Sequence, residues 1–110
     1  MAAIETGTTD LEARVEDGVA VLTMNRPERR NALSPDMLAA LARALADAEA
    51  DDDVACVVLT GAGSAFCAGG GAGLALALAC DLRIAARSAI LTTAFARAVG
   101  TRWLRKYVPP

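Results

Sequence analysis

The sequence predicts an α/β fold, and three observations carry that prediction. Residues 15–25 (VEDGVAVLTMN) place Asp17-Gly18 between two extended stretches, the pattern of a hairpin turn. A capped amphipathic segment begins at Ser34-Pro35. A nearly continuous apolar run, Val54 to Thr60 (VACVVLT), then has the length of a strand. Strand, helix, strand, glycine-rich turn and helix follow one another, an order that suits layers of helix on sheet.

Each element has a local cause. Residues 1–10 read as a loose polar leader. Val19–Thr23 forms the second arm of the hairpin, and Arg26-Pro27 ends it because proline cannot donate to a ladder. Ser34 is a natural N-cap, Pro35 suits the first helical position, and Asp36 favours the positive end of the helix dipole. Leu38, Leu41 and Leu45 recur at helical spacing, with Met37, Ala44 and Ala48 beside them, and define the expected buried face. Asp51-Asp52-Asp53 reads as a solvated loop, since the further oxygen ligands of a metal site cannot be placed.

The run Val54–Thr60 has the composition of a strand covered on both faces. Leu74 to Ala86 is expected to be a buried helix. Its Leu-Ala alternation also fits a strand, and the many alanines favour helix. Ile90-Leu91-Thr92-Thr93 is a candidate short strand, and residues 101–110 (TRWLRKYVPP) an irregular basic tail.

Composition narrows the function classes. A chain of 110 residues has room for a single domain, and with 4% aromatics its core must be built mainly from Ala, Leu and Val. The net charge of −2 hides an asymmetry, because residues 1–80 sum to −7 and residues 81–110 to +5. The basic end suits a phosphate-bearing ligand, an acidic partner or the acidic half of the chain. Nucleic acid is disfavoured, since only Trp103 and Tyr107 accompany those charges.

Three cysteines (Cys56, Cys67 and Cys80) form no CxxC pair, and with no histidine in the chain a zinc site is not expected. The odd count suggests reduced thiols and a cytoplasmic protein. Cys67 lies in the glycine-rich loop, but no histidine exists to activate it as a nucleophile. No signal-peptide pattern opens the sequence, and the apolar run 72–80 is too short to span a bilayer.

The glycine-rich stretch, Ser64 to Arg83 (SAFCAGGGAGLALALACDLR), fits neither common phosphate loop. No lysine follows the glycines as a Walker A loop requires, and Phe66 stands where a dinucleotide fingerprint needs its third glycine. A tight turn with close helix packing explains such glycines equally well. Three blocks in order carry something more specific. They are Asn25-Arg26-Pro27 with Asn31-Ala32-Leu33; Val57–Gly61 leading to Phe66-Cys67-Ala68-Gly69-Gly70; and Gly71-Ala72-Gly73-Leu74 through Ala79-Cys80-Asp81-Leu82, continuing to Thr92–Arg97. This set resembles the crotonase (enoyl-CoA hydratase/isomerase) superfamily over about three quarters of the chain.

The resemblance implies a partial, incomplete ββα spiral fold and a coenzyme A thioester as substrate or ligand, with no permanently bound cofactor. It implies a thioester oxyanion held by the backbone N–H groups of Gly70 and Ala72, preorganised donors aimed where charge develops. Arg29, Arg30, Ala32 and Ala68 would contact coenzyme A. The family's two acid–base glutamates would fall at Ala75 and near Ala94, both alanine, so water addition by that route is not expected. The second and third blocks touch at Gly70–Gly71, where the family places further elements between them. Residues 1–110 thus read as one truncated domain with two internal deletions and a missing C-terminal region. Its expected partners are an acyl-CoA and, as alternatives for a non-catalytic remnant, a second copy or a full-length relative.

Overall fold

A two-residue turn organises the first half of the chain. In a computed structural model, which describes residues 2–68 and 72–90, Asp17 and Gly18 both take positive φ (50° and 79°). That conformation matches the twist of the arms it joins. The arms are β2 (Leu11–Glu16) and β3 (Val19–Met24), antiparallel in the register Leu11↔Met24, Ala13↔Leu22 and Val15↔Ala20. β1 (Ala2–Ile4) pairs antiparallel with β2, so part of the supposed loose leader is a sheet strand. The register explains it: Ala2, Ala3 and Ile4 sit opposite Val15, Arg14 and Ala13, on the otherwise open edge of β2.

α1 (Pro35–Ala50) begins as expected. Ser34 is extended, and its Oγ accepts from the Met37 N–H at 3.0 Å, satisfying one of the orphan donors of the first turn. The Ser34 hydroxyl also donates to Asp10 at 2.5 Å, which fixes the helix start to the loop before β2. Its buried residues are Met37, Ala40, Leu41 and Ala48, whereas Leu38 and Leu45 are 54% and 41% exposed. The buried stripe is therefore rotated from the expected Leu38–Leu41–Leu45 line. Alanines at 40 and 48 let the helix lie close to the sheet, and Leu38 and Leu45, which share one flank of the buried stripe, are turned outward.

Alternation does the rest. Leu11, Ala13, Ala20, Leu22 and Met24 occupy one face of β2 and β3, each no more than 6% exposed, and α1 packs on those two strands. β4 (Cys56–Gly61) joins the far side of β3 in parallel, with Val19↔Cys56 through Met24↔Gly61, completing the order β1-β2-β3-β4. The expectation of a strand covered on both faces fails here. Val57 and Val58 are 38% and 42% exposed, because among the described residues β4 is an edge strand and α1 lies over β2 and β3. The aspartates 51–53 are exposed and turn back on themselves, the Asp53 N–H donating to Asp51 Oδ1.

Two compact units divide the chain, Met1–Cys67 and Ala68–Pro110. In the described part of the second, α2 (Ala72–Ala79) is shorter than the helix expected from Leu74 to Ala86. It closes where Cys80 N–H bonds the Ala77 carbonyl, and Arg83 caps the Cys80 carbonyl. Residues 82–86 carry no regular structure, and Leu82, Ile84 and Ile90 are 88% or more exposed. Ile90 lies outside any strand, while Leu91, Thr92, Thr93 and the tail 101–110 fall outside the described residues.

Candidate functional site

β3 and β4 run parallel and end together, Met24 opposite Gly61. The loops that leave their carboxyl ends are therefore neighbours, the position at which open α/β sheets receive ligands. The first loop, Asn25–Ser34, holds a single 3-10 turn at Pro27–Arg29. The second, Ala62–Cys67, begins with the Ala62 N–H bonded to the Met24 carbonyl at 2.8 Å.

Asn31 joins them. It is fully buried and sits at φ +58°, a region that asparagine tolerates better than most residues. Its Nδ2 donates across to the Ala62 and Ala65 carbonyls at 2.8 and 2.7 Å. Its Oδ1 accepts from the Arg26 N–H at 2.8 Å, and its own N–H returns to the Arg26 carbonyl at 2.8 Å. Both amide protons and the carbonyl are thus used, which is what makes a buried amide affordable. Gly61 completes the joint. A Cβ there would collide with the Ala65 and Phe66 carbonyls and come within 2.8 Å of Asn31 Nδ2.

The three arginines of the first loop have different duties. Arg26 is structural: its guanidinium donates to the Ala32 carbonyl at 2.7 Å and lies 4.0 Å from Asp10. Arg29 and Arg30 are exposed, and neither makes an ion pair among the described residues. Arg30 takes positive φ (53°) as the turn ends, and both arginines face solvent. Ala32, held by Arg26 and by its N–H to the Arg29 carbonyl at 3.1 Å, belongs to the same rigid turn.

Cys67 is half-buried. Burial pushes its thiol pKa up, and a backbone hydrogen bond from Leu33 pulls the other way without cancelling the rise. A thiol held neutral is a poor nucleophile, which agrees with the missing histidine. Of the other expected site residues, Ala68 is half-buried and Ala72 is the first residue of α2. Gly70 and Ala94 lie outside the described residues, so the pair Gly70–Ala72 is not brought together in the described geometry. Ala75 is exposed on α2.

Asn31 and Gly61 stand in the sequence as parts of the motif blocks, with no role of their own legible there. An asparagine between a proline-initiated turn and a Ser-Pro helix start was the available signal, since it marks a left-handed position.

The sequence model of the enoyl-CoA hydratase/isomerase family matches residues 14–71, from β2 through both loops. The chain belongs to this family. Relatives agree: the 1,2-epoxyphenylacetyl-CoA isomerase of Escherichia coli (strain K12) is 53% identical over 57 residues, 52% of this chain and 22% of that protein. The YngF protein of Bacillus subtilis (strain 168), described as an enoyl-CoA hydratase/isomerase, is 33% identical over 117 positions, taking in 66% of this chain and 45% of its own. Since those positions outnumber the residues here, YngF has residues with no counterpart in this chain. The crystal structure of enoyl-CoA hydratase from Mycobacterium tuberculosis H37Rv superposes with a TM-score of 0.73 at 37% identity, over 82% of this chain and 52% of that one. The α/β expectation of a partial crotonase-like fold is met, and the chain spans about half or less of each of these relatives.

Proposed function

We propose that this chain binds acyl-CoA through the paired loops at the carboxyl ends of β3 and β4, and that it does not hydrate the bound thioester. The observation that carries the reading is the joint itself. The family match spans both loops, and in this structure Asn31 bonds one to the other. Enoyl-CoA and epoxyphenylacetyl-CoA in the relatives' names share only the coenzyme A thioester, so that part of the ligand is the one to carry over.

In this reading Arg29 and Arg30 meet the phosphates of the nucleotide end, where exposed guanidinium groups offer paired donors. Ala32 and Ala68 supply backbone contacts to coenzyme A. The thioester oxygen is polarised by the N–H groups of Gly70 and Ala72, the latter at the start of α2 where the first amides have no intrahelical partner. With alanine at 75 and 94 no carboxylate stands at either family acid–base position, so the reading extends to binding and not to hydration.

A second reading draws on the three large aliphatic side chains Leu82, Ile84 and Ile90, all almost fully exposed. They favour a remnant that packs on a second copy or a full-length relative. A cytoplasmic location accompanies both readings; no helix among the described residues is long and apolar enough to cross a membrane.

Urea unfolding of the full chain with and without octanoyl-CoA separates the two. A ligand that binds only the folded state at a hundred times its Kd adds about 2.7 kcal/mol. The binding reading expects a midpoint that rises with octanoyl-CoA and not with AMP. An unmoved midpoint, with a concentration-dependent mass in solution, supports the packing reading instead.

A further inference from the structure

We propose that Asn31 is a positioning residue: it fastens the loop after β4 to the loop after β3, so that the two present their ligand-facing backbone as one body. The ligand part of this proposal rests on the acyl-CoA reading above. The fastening itself rests only on geometry.

Four observations carry it. The Asn31 side chain bonds three separate backbone groups, at Arg26, Ala62 and Ala65, spanning up to 34 residues of sequence. It is fully buried, so a lost bond cannot be replaced by water without opening the joint. Its backbone sits at positive φ immediately after Arg30, also at positive φ, so the chain accepts an uncommon conformation at two successive residues to aim this amide inward. Gly61 leaves the space into which the amide and the Ala65 and Phe66 carbonyls fit.

The consequence is a division of labour. The exposed arginines, Arg29 and Arg30, sit on a turn whose next residue grips the second loop. That second loop leads through Cys67 directly into Ala68 in sequence. A ligand that contacts the first loop therefore meets a second loop already in place, and ordering costs are not charged to binding.

Amide hydrogen exchange of the full chain tests the fastening without any ligand. Asn31→Gly keeps the positive φ at no steric cost and deletes all three side-chain bonds. The expected result is exchange at least about tenfold faster across residues 62–67, with residues 20–24 in β3 unchanged, as the loss of one to two net hydrogen bonds would give. Equal acceleration everywhere, or none at 62–67, overturns the proposal.

Should Asn31→Gly not fold, two variants approach the same joint. Asn31→Asp keeps the acceptor for the Arg26 N–H but removes both donors to Ala62 and Ala65. Gly61→Ala pushes from the opposite side. Each is expected to loosen 62–67 selectively.

Octanoyl-CoA titration then reads the ligand part. Asn31→Gly is expected to weaken binding at least about tenfold while far-ultraviolet circular dichroism is retained, whereas equal affinity in wild type and variant overturns the positioning role. A wild type that binds no octanoyl-CoA, with the exchange pattern intact, overturns the acyl-CoA reading and the ligand part that rests on it and leaves the fastening standing.

Discussion

Residues 2–67 and the described part of the unit beginning at Ala68 contrast in how their apolar side chains are used. In the first, Leu11, Leu22, Met24, Met37 and Leu41 are at most 2% exposed and the loops are tied by side-chain hydrogen bonds. In the second, one helix of eight residues is followed by Leu82, Ile84 and Ile90 standing in solvent. The family match ends at residue 71, close to the boundary of the first unit at Cys67. The stretch with the strongest kinship is thus also the stretch that closes a core.

That contrast can be broken most severely at Leu22. It is 1% exposed, on the strand that both β2 and β4 flank, and Leu22→Ala is expected to cost about 2–5 kcal/mol in urea unfolding. A cost under 1 kcal/mol would mean that the first unit is no better packed than the second. Ser34→Ala comes next, at about 1 kcal/mol, because it removes the cap on Met37 and the hydroxyl that binds Asp10.

Smaller again is the pH response of Cys67. Its folded thiol holds its proton to higher pH than the unfolded one, so its contribution is intact below the ordinary thiol range. As the pH rises through that range the unfolded state releases the proton first, and stability falls. Comparing urea midpoints at pH 7 and pH 9.5 should show a steeper loss in wild type than in Cys67→Ser. Parallel losses would place the thiol in an unperturbed setting. Least of all, Ile84→Ser should change the unfolding free energy by no more than about 0.5 kcal/mol, since an exposed side chain away from any cap or core gives up little. A large loss there would show that Ile84 packs against something in solution.

Local chemistry was legible in the sequence where it determined structure. Asp17-Gly18 and Ser34-Pro35 each specify a backbone conformation on their own, and both were found as read. What could not be read depended on partners far along the chain. Leu38 and Leu45 have the right spacing for a buried face, yet small residues at 40 and 48 decided which side of α1 approaches the sheet. Val57 and Val58 read as doubly covered because composition does not reveal that a strand sits at an edge. Asn31 was visible only as a motif letter, since its three bonds reach residues before it and 31 and 34 positions after it. The site residues drawn from resemblance divide likewise: Arg29, Arg30 and Ala32 share one turn, whereas Gly70 lies outside the described residues.

The parallel pairing of β3 with β4 also sets an order of assembly. β2 and β3 meet across a two-residue turn, but β4 must return over residues 25–55, a connection of 31 residues. Closing the longer loop costs about 2 kcal/mol more by polymer scaling, and contacts of high sequence separation form late. The hairpin can therefore assemble while the chain is still searching, and the joint between the two loops cannot. Its bonds, across 31 and 34 residues, wait on the same long closure that brings β4 to β3, so the acyl-CoA reading locates ligand binding where the fold depends on a distant return and not on the hairpin.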